Sequence, residues 1–140
     1  MTIIGFNFTK ISVKRENSIT GNISIKKKVG IENLRTKEMG LSTNQGALEI
    51  DFTYGVSFLN EKKKNVGNID LAGNFVFLNE KKLITEVIKQ YKKDRSIKQE
   101  IITPLLNYTF AKCTLEALLL SKEVNLPMPV QLPKLKVGKK

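Results

Sequence analysis

The chain has 140 residues with no histidine, no tryptophan and one cysteine, Cys113. Without imidazole, no side chain has an ordinary pKa suited to proton shuttling near neutral pH, and the commonest metal ligand is missing. One thiol cannot build an internal disulfide framework. Cys113 sits in an apolar helical seam, the setting of a packed, inert thiol rather than a nucleophile. Long apolar stretches are also lacking: Ala117 to Leu120 is one helical turn, against roughly 18 residues for a bilayer crossing, which predicts a soluble protein. The glycines are scattered, and no Gly-x-x-x-x-Gly-Lys-Ser/Thr loop is present to cradle a nucleotide. These absences predict a non-enzyme with no catalytic residues, no metal and no cofactor. The N-terminus, Met-Thr-Ile-Ile-Gly-Phe, lacks the basic and long apolar regions of a secretory signal, so a cytoplasmic location is expected. On that reading the glycosylation-type motifs at Asn7, Asn22 and Asn107 are chance matches.

Lysine, by contrast, is plentiful. Twenty-four basic residues against thirteen acidic give a net charge of +11. The excess is spread along the chain: 11 basic and 7 acidic groups precede Leu71, and 13 and 6 follow. The triplets Lys26–Lys28 and Lys62–Lys64 are short, and the second has the context of a hairpin tip. The pattern reads as solvated lysines of a generally basic protein, so no specific nucleic-acid partner is expected. Most of the aromatics alternate onto what reads as a buried strand face, where bases cannot stack on them.

The first 80 residues carry the period of two that marks half-buried strands. Phe6 and Phe8, then Ile11 and Val13, alternate with polar residues but change phase, which predicts a first strand over about 4–14 with a bulge between Phe8 and Ile11. A turn over 16–21 leads to a second, lysine-studded strand ending before Gly40. From Ala47 to Leu59 the alternation is clearest, with Leu48, Ile50, Phe52, Tyr54, Val56 and Phe58 on one face and Glu49, Asp51 and Thr53 on the other. Glu49 and Asp51 read as solvated surface. A fourth strand contains Val66, Ile69, Leu71, Phe75 and Phe77, and its Gly73 marks a bulge or a close approach of backbones. Four strands in sequence, joined by short polar turns, predict an antiparallel meander.

After Asn79 the period becomes about 3.6. Leu83, Ile84, Val87, Ile88 and Tyr91 predict a helix over about 80–93, and a polar break over 94–96 precedes a second. Thr103 is placed as an N-cap and Pro104 at the first helical position, restarting or kinking this second helix. Ile102, Leu106, Phe110, Cys113, Ala117 and Leu120 then form a heptad-like seam, with Leu105, Leu115, Leu118 and Leu119 off it. A helix with two apolar faces needs two partners, its own sheet and a second subunit, so the seam is the expected oligomer interface. Beyond it, Leu126, Met128, Val130, Leu132 and Leu135 are interspersed with three prolines, a pattern that cannot be helical and must lie extended along a surface.

This layout, with Ala111-Lys-Cys113, Leu126-Pro-Met128-Pro-Val-Gln-Leu132 and Leu135, resembles the SecB family of protein-export chaperones. The two stretches are similar to that family's Ala-Arg-Glu-Cys helix and its Leu-Asn-Leu-Ala-Pro-Val-Asn-Phe lid. Gly73-Asn-Phe75 is similar to the Gly-Gly-Ile-Phe of its fourth strand, and Pro104 sits near a proline of its helical region. The resemblance implies one α+β domain over 1–140: strands over about 3–79, helices over 80–122, a lid over 123–136 and a frayed tail over 137–140. It implies an ATP-independent holdase assembled as a dimer of dimers, with helices sandwiched between two sheets and unfolded polypeptides held in apolar grooves. Leu126, Met128, Val130, Leu132 and Leu135 would then form the lid wall of a client groove. Two departures are plain. The family's members are acidic while this chain is basic, so partnering with the SecA motor is not expected. The segment 16–21 is short and lacks aromatics, so client contacts there do not carry over. The alternative function is a basic adaptor for RNA, DNA or an anionic surface.

Overall fold

The computed structural model describes residues 2–16, 21–38 and 44–127. Four strands, β1 (Thr2–Arg15), β2 (Ser24–Lys37), β3 (Gln45–Leu59) and β4 (Asn65–Glu80), precede two helices, α1 (Lys81–Asp94) and α2 (Gln99–Glu123). The α+β architecture and the element order agree with the expectation from sequence. The expected lid residues Met128, Val130, Leu132 and Leu135 and the tail over 137–140 lie outside the described residues.

All strand pairs are antiparallel, in the order β1-β4-β3-β2. The meander therefore holds for β2, β3 and β4, whereas β1 pairs with β4 instead of β2. The burial of each strand accounts for the order. Along β4, Val66 and Val76 are buried together with Ile69, Leu71, Phe75 and Phe77, as a central strand requires. The exposed Lys26, Lys27 and Lys28 of β2 are characteristic of an edge, where lysine discourages stray pairing. Between Arg15 and Ser24 the chain thus passes from one edge of the sheet to the other.

Strand β1 carries two register shifts, one between Phe8 and Lys10, where the phase change predicts it, and one between Ile4 and Asn7. At the second, Gly5 takes φ +63°, a conformation that L side chains rarely adopt. The shift brings Phe6 as well as Phe8 onto the helix-facing side. Phe6 stacks on Phe52 with centroids 4.7 Å apart and on Phe75 at 5.9 Å. Gly73, in register with Phe8 where the other shift begins, is the close approach expected from sequence: a Cβ there would sit 1.9 Å from the Asn7 carbonyl oxygen.

Helix α1 buries Ile84, Val87, Ile88 and Tyr91 of the predicted stripe and leaves Leu83 half-buried, and the Tyr91 hydroxyl donates to the Glu32 carbonyl at 3.2 Å. It ends where Arg95 turns left-handed (φ +62°) and donates its N–H to Tyr91 O. Helix α2 departs from expectation at its start. The helix begins at Gln99, and Thr103 is an exposed residue inside it, not its cap. The Lys98 carbonyl already accepts from the Ile101 and Ile102 N–H groups, so the first turn is wound before Pro104 is reached. Pro104 then removes one amide bond without stopping the helix.

The side of α2 against the sheet is a row four residues apart: Leu105, Thr109, Cys113, Ala117 and Ser121. Four of the five are small, which lets the helix lie close to the large side chains of β3 and β4. The two hydroxyls cost little when buried, because Thr109 donates to Leu105 O and Ser121 to Leu118 O, both at 2.9 Å. Cys113 is fully buried in this row, and burial pushes its thiol up to about 12. Alkylation of Cys113 at pH 8 is accordingly expected to be at least about 10³-fold slower in the native protein than in urea, since it requires opening of the core. Comparable rates in the two states, measured by mass spectrometry, would place α2 elsewhere.

Candidate functional site

Burial splits the seam expected from sequence. Cys113 and Ala117 are 0% exposed against the chain's own sheet and leave no surface for a second chain. Ile102, Leu106, Phe110 and Leu120 are half-buried. Phe110 leans on Tyr54 with centroids 6.0 Å apart and lies under the Lys27 ammonium at 5.4 Å. The most exposed apolar side chains of α2 belong to the other row: Leu115 is 60% and Leu119 54% exposed. Ile11 of β1 is 50% exposed.

Leu119 opens into a cavity of about 710 Å³ at one end of the sheet. Arg15 lines it where the chain leaves β1, and Gly21 and Ile23 where it approaches β2. Leu118, Leu119, Ser121 and Lys122 contribute from the last turns of α2, followed by Asn125, Leu126 and Pro127. The volume suits a ligand-sized cleft, about 300–1,000 Å³. The walls are mainly apolar, and Arg15 and Lys122 are the charged residues among them. The Arg15 guanidinium also donates to Glu16 O at 3.1 Å.

The local chemistry of the helix end fixes one wall. Asn125 turns left-handed (φ +56°), its N–H donates to Lys122 O, and the Leu126 N–H donates to Ser121 O at 2.8 Å. This pair of bonds is the Schellman arrangement, with Asn in the place glycine usually takes. It turns Leu126 back onto β4, where a Cβ on Gly67 would lie 2.9 Å from Leu126 Cδ2. Leu126 is only 7% exposed, so it anchors the wall through its own packing, and Pro127 stands at the lip. Gly67→Ala should displace the Leu126 side chain and loosen this wall at a cost of about 1 kcal/mol. Faster tryptic cleavage at Lys122 with a modest drop in midpoint is the expected readout; unchanged cleavage would mean that Leu126 does not hold the helix end.

Of the residues expected to contact clients, the structure therefore places Leu126 in the groove wall. Ile23, Leu118, Leu119, Arg15 and Lys122 join it without having been singled out from sequence as a site. Leu118 and Leu119 were visible as apolar residues off the seam, whereas Ile23 and Arg15 are brought in by the unforeseen path of the chain between β1 and β2.

The opposite face of the sheet carries a paired ion cluster. Arg35 grips Asp51 through both guanidinium nitrogens, at 2.7 and 3.0 Å, and also pairs with Glu49, which Lys37 meets at 3.1 Å. The Arg35 and Lys37 bonds hold the Glu49 carboxyl below its usual range. Glu49 and Asp51 thus belong to a surface ion-pair cluster. Among the described residues no cluster of three or more Cys, Asp or Glu could hold a metal, and no helix is long and apolar enough to cross a membrane.

No protein-family profile matches the sequence, and no curated protein matches it. A solved structure does resemble it: a Mycobacterium tuberculosis SecB-like chaperone in complex with a ChAD peptide from the HigA1 antitoxin. That structure is 10% identical in sequence with a TM-score of 0.58, over 99% of this chain and 92% of the other. The fold of the chain is SecB-like.

Proposed function

We propose that this protein is an ATP-independent holdase that keeps non-native polypeptides in the apolar groove at the end of α2. The observation that carries this reading is that Leu119, more than half exposed, opens into a largely apolar cleft, with the likewise exposed Leu115 one helical turn away. An exposed apolar surface of this kind marks a binding site more readily than ordinary surface. The likeness of the fold to a chaperone solved with a bound peptide supports it. The apolar, proline-spaced sequence from Leu126 to Leu135 starts at the groove lip, so Met128, Val130, Leu132 and Leu135 are proposed to complete the wall. Ile102, Leu106, Phe110 and Leu120 are proposed to meet a second copy, and several grooves on one oligomer would raise avidity through effective concentration.

The test is light scattering from a dilution-unfolded model protein, with no nucleotide present. The expected result is suppression of aggregation that persists at high salt, because apolar contacts are not screened. The net charge of +11 favours one other reading, a basic adaptor for nucleic acid. Absence of suppression together with tight, salt-sensitive RNA binding would replace the holdase with that adaptor.

A further inference from the structure

The charged residues that line the groove are basic, whereas the far face of the sheet carries a paired ion cluster. Among the described residues Lys122 and Arg15 line the groove and no carboxylate does. Beside it stands the hairpin tip between β3 and β4. Glu61 Oε1 accepts from the Asn22 N–H at 3.3 Å, which holds the tip one residue from Gly21 and Ile23 of the lining. Within the tip, Asn60 Oδ1 accepts from the N–H groups of Lys62 and Lys64, both at 2.9 Å, and Asn60 O accepts from the Lys63 N–H at 2.9 Å. These bonds fix the turn, and the side chains of Lys62, Lys63 and Lys64 are exposed. Of the acidic residues adjacent in the chain to these lysines and to Arg15, Glu61 accepts from the Asn22 N–H, and Glu16 and Glu123 stand outside the lining.

We propose that the groove selects a particular class of polypeptide: extended apolar segments flanked by aspartate or glutamate. This rests on the reading of the groove as a polypeptide site and adds the chemistry of its clients. The apolar walls at Ile23, Leu118 and Leu119 take the client's apolar side chains. Lys122 and the pre-shaped lysine turn meet its carboxylates at the rim. Rim charges of this kind govern choice of partner and encounter rate more than total affinity. The chain's own C-terminal sequence suits the groove less well by the same criterion, because residues 128–140 carry four lysines and no acid.

The test uses the full chain and fluorescent peptides sharing one apolar core, flanked by glutamate, glutamine or lysine, in anisotropy titrations. At about 0.1 M salt, where charges reach ~10 Å, the glutamate peptide should bind about tenfold tighter than the lysine peptide. At about 1 M salt, with a ~3 Å screening length, the gap should close to within about twofold. Replacing Lys62, Lys63 and Lys64, which stand outside the lining, by glutamine should narrow it at low salt to within about threefold, leaving the glutamine peptide's affinity unchanged. All three lysines are exposed, so this variant should fold. Equal binding of all three peptides would overturn the charge selection and leave the groove reading standing. Binding of none, with no suppression of aggregation, would overturn the groove reading itself. Displacement of the glutamate peptide by single-stranded RNA, but not by unlabelled apolar peptide, would reassign the lysines to phosphate. Loss of peptide binding as protein concentration rises, with self-association in sedimentation, would assign the groove to a second copy.

Discussion

Leu119→Asp should abolish suppression of aggregation while leaving the fold intact. Leu119 is 54% exposed and lines the groove, so its side chain contributes little to the protomer's own core. Surface substitutions of this kind change stability by about 0.5 kcal/mol or less, which predicts a thermal midpoint within about 2 °C of the wild type. A client side chain packed against Leu119 would gain about 1.5–3 kcal/mol from burial, so the substitution should weaken holding by roughly tenfold or more. The carboxylate adds to the loss by placing a polar group in an apolar wall. The comparison is Leu105→Asp, fully buried in the row against the sheet, which should unfold the protein and remove holding indirectly. Aggregation curves read beside circular dichroism separate the two effects. Full holding by Leu119→Asp would move the client site away from this end of α2.

The contrast between Leu105 and Leu119 also marks how far the sequence could be read. Apolar periodicity located both helices and all four strands, because periods of 2 and 3.6 are imposed by the backbone itself. The same periodicity left open which row of α2 meets the sheet. A heptad grouping placed Cys113 and Ala117 with Phe110 on one seam, whereas the sheet takes Thr109, Cys113, Ala117 and Ser121. Side-chain size carried that information: four small residues at spacing four mark the place where a helix comes close to large neighbours. The position of β1 was hidden for a related reason. Alternation identifies a strand and its buried face but not its neighbour, and only the edge-like lysines of β2 and the doubly buried β4 distinguished the order. Thr103 and Pro104 look like a helix start by local chemistry, yet the winding at Lys98 precedes them. Since Gly21, Ile23 and Arg15 reach the groove only through the strand order, the groove could be located only once the chain was folded.

Gly73→Ala should cause the largest loss of stability of any single methyl added to the sheet. The new carbon would lie 1.9 Å from the Asn7 carbonyl oxygen, 2.9 Å from its carbon and 2.8 Å from Phe52 Cζ. The first two are backbone atoms of β1, so relief requires the strand to move. Asn7 is held by register with Asn74, and Phe8 with Gly73 itself. Retreat of β1 by an ångström would open these pairs and pull Phe6 off Phe52 and Phe75. The partial unburial of Phe6 and Phe8, at about 1.5–3 kcal/mol for each side chain fully buried, together with the opened ladder hydrogen bonds at about 1 kcal/mol each, sets a loss of about 3–5 kcal/mol. That is a large share of the roughly 5–15 kcal/mol that holds an ordinary domain together. Gly30→Ala is the control: a Cβ there meets Thr53 Oγ1 at 3.6 Å and Glu32 Oε1 at 3.7 Å, ordinary contacts that predict a change of about 0.5 kcal/mol or less. Urea unfolding of the two variants decides the matter, and equal midpoints would mean that β1 does not cross Gly73 so closely. The consequence extends to function through Tyr108 of α2, whose ring lies 5.8 Å from Phe6 and 5.9 Å from Phe75. A shifted β1 would release this contact, and α2, which carries Leu119 and Lys122, would lose its seat on the sheet. Gly73→Ala should therefore weaken holding in proportion to the fraction of protein in which β1 has detached, in contrast to Leu119→Asp, which should weaken it without any detachment.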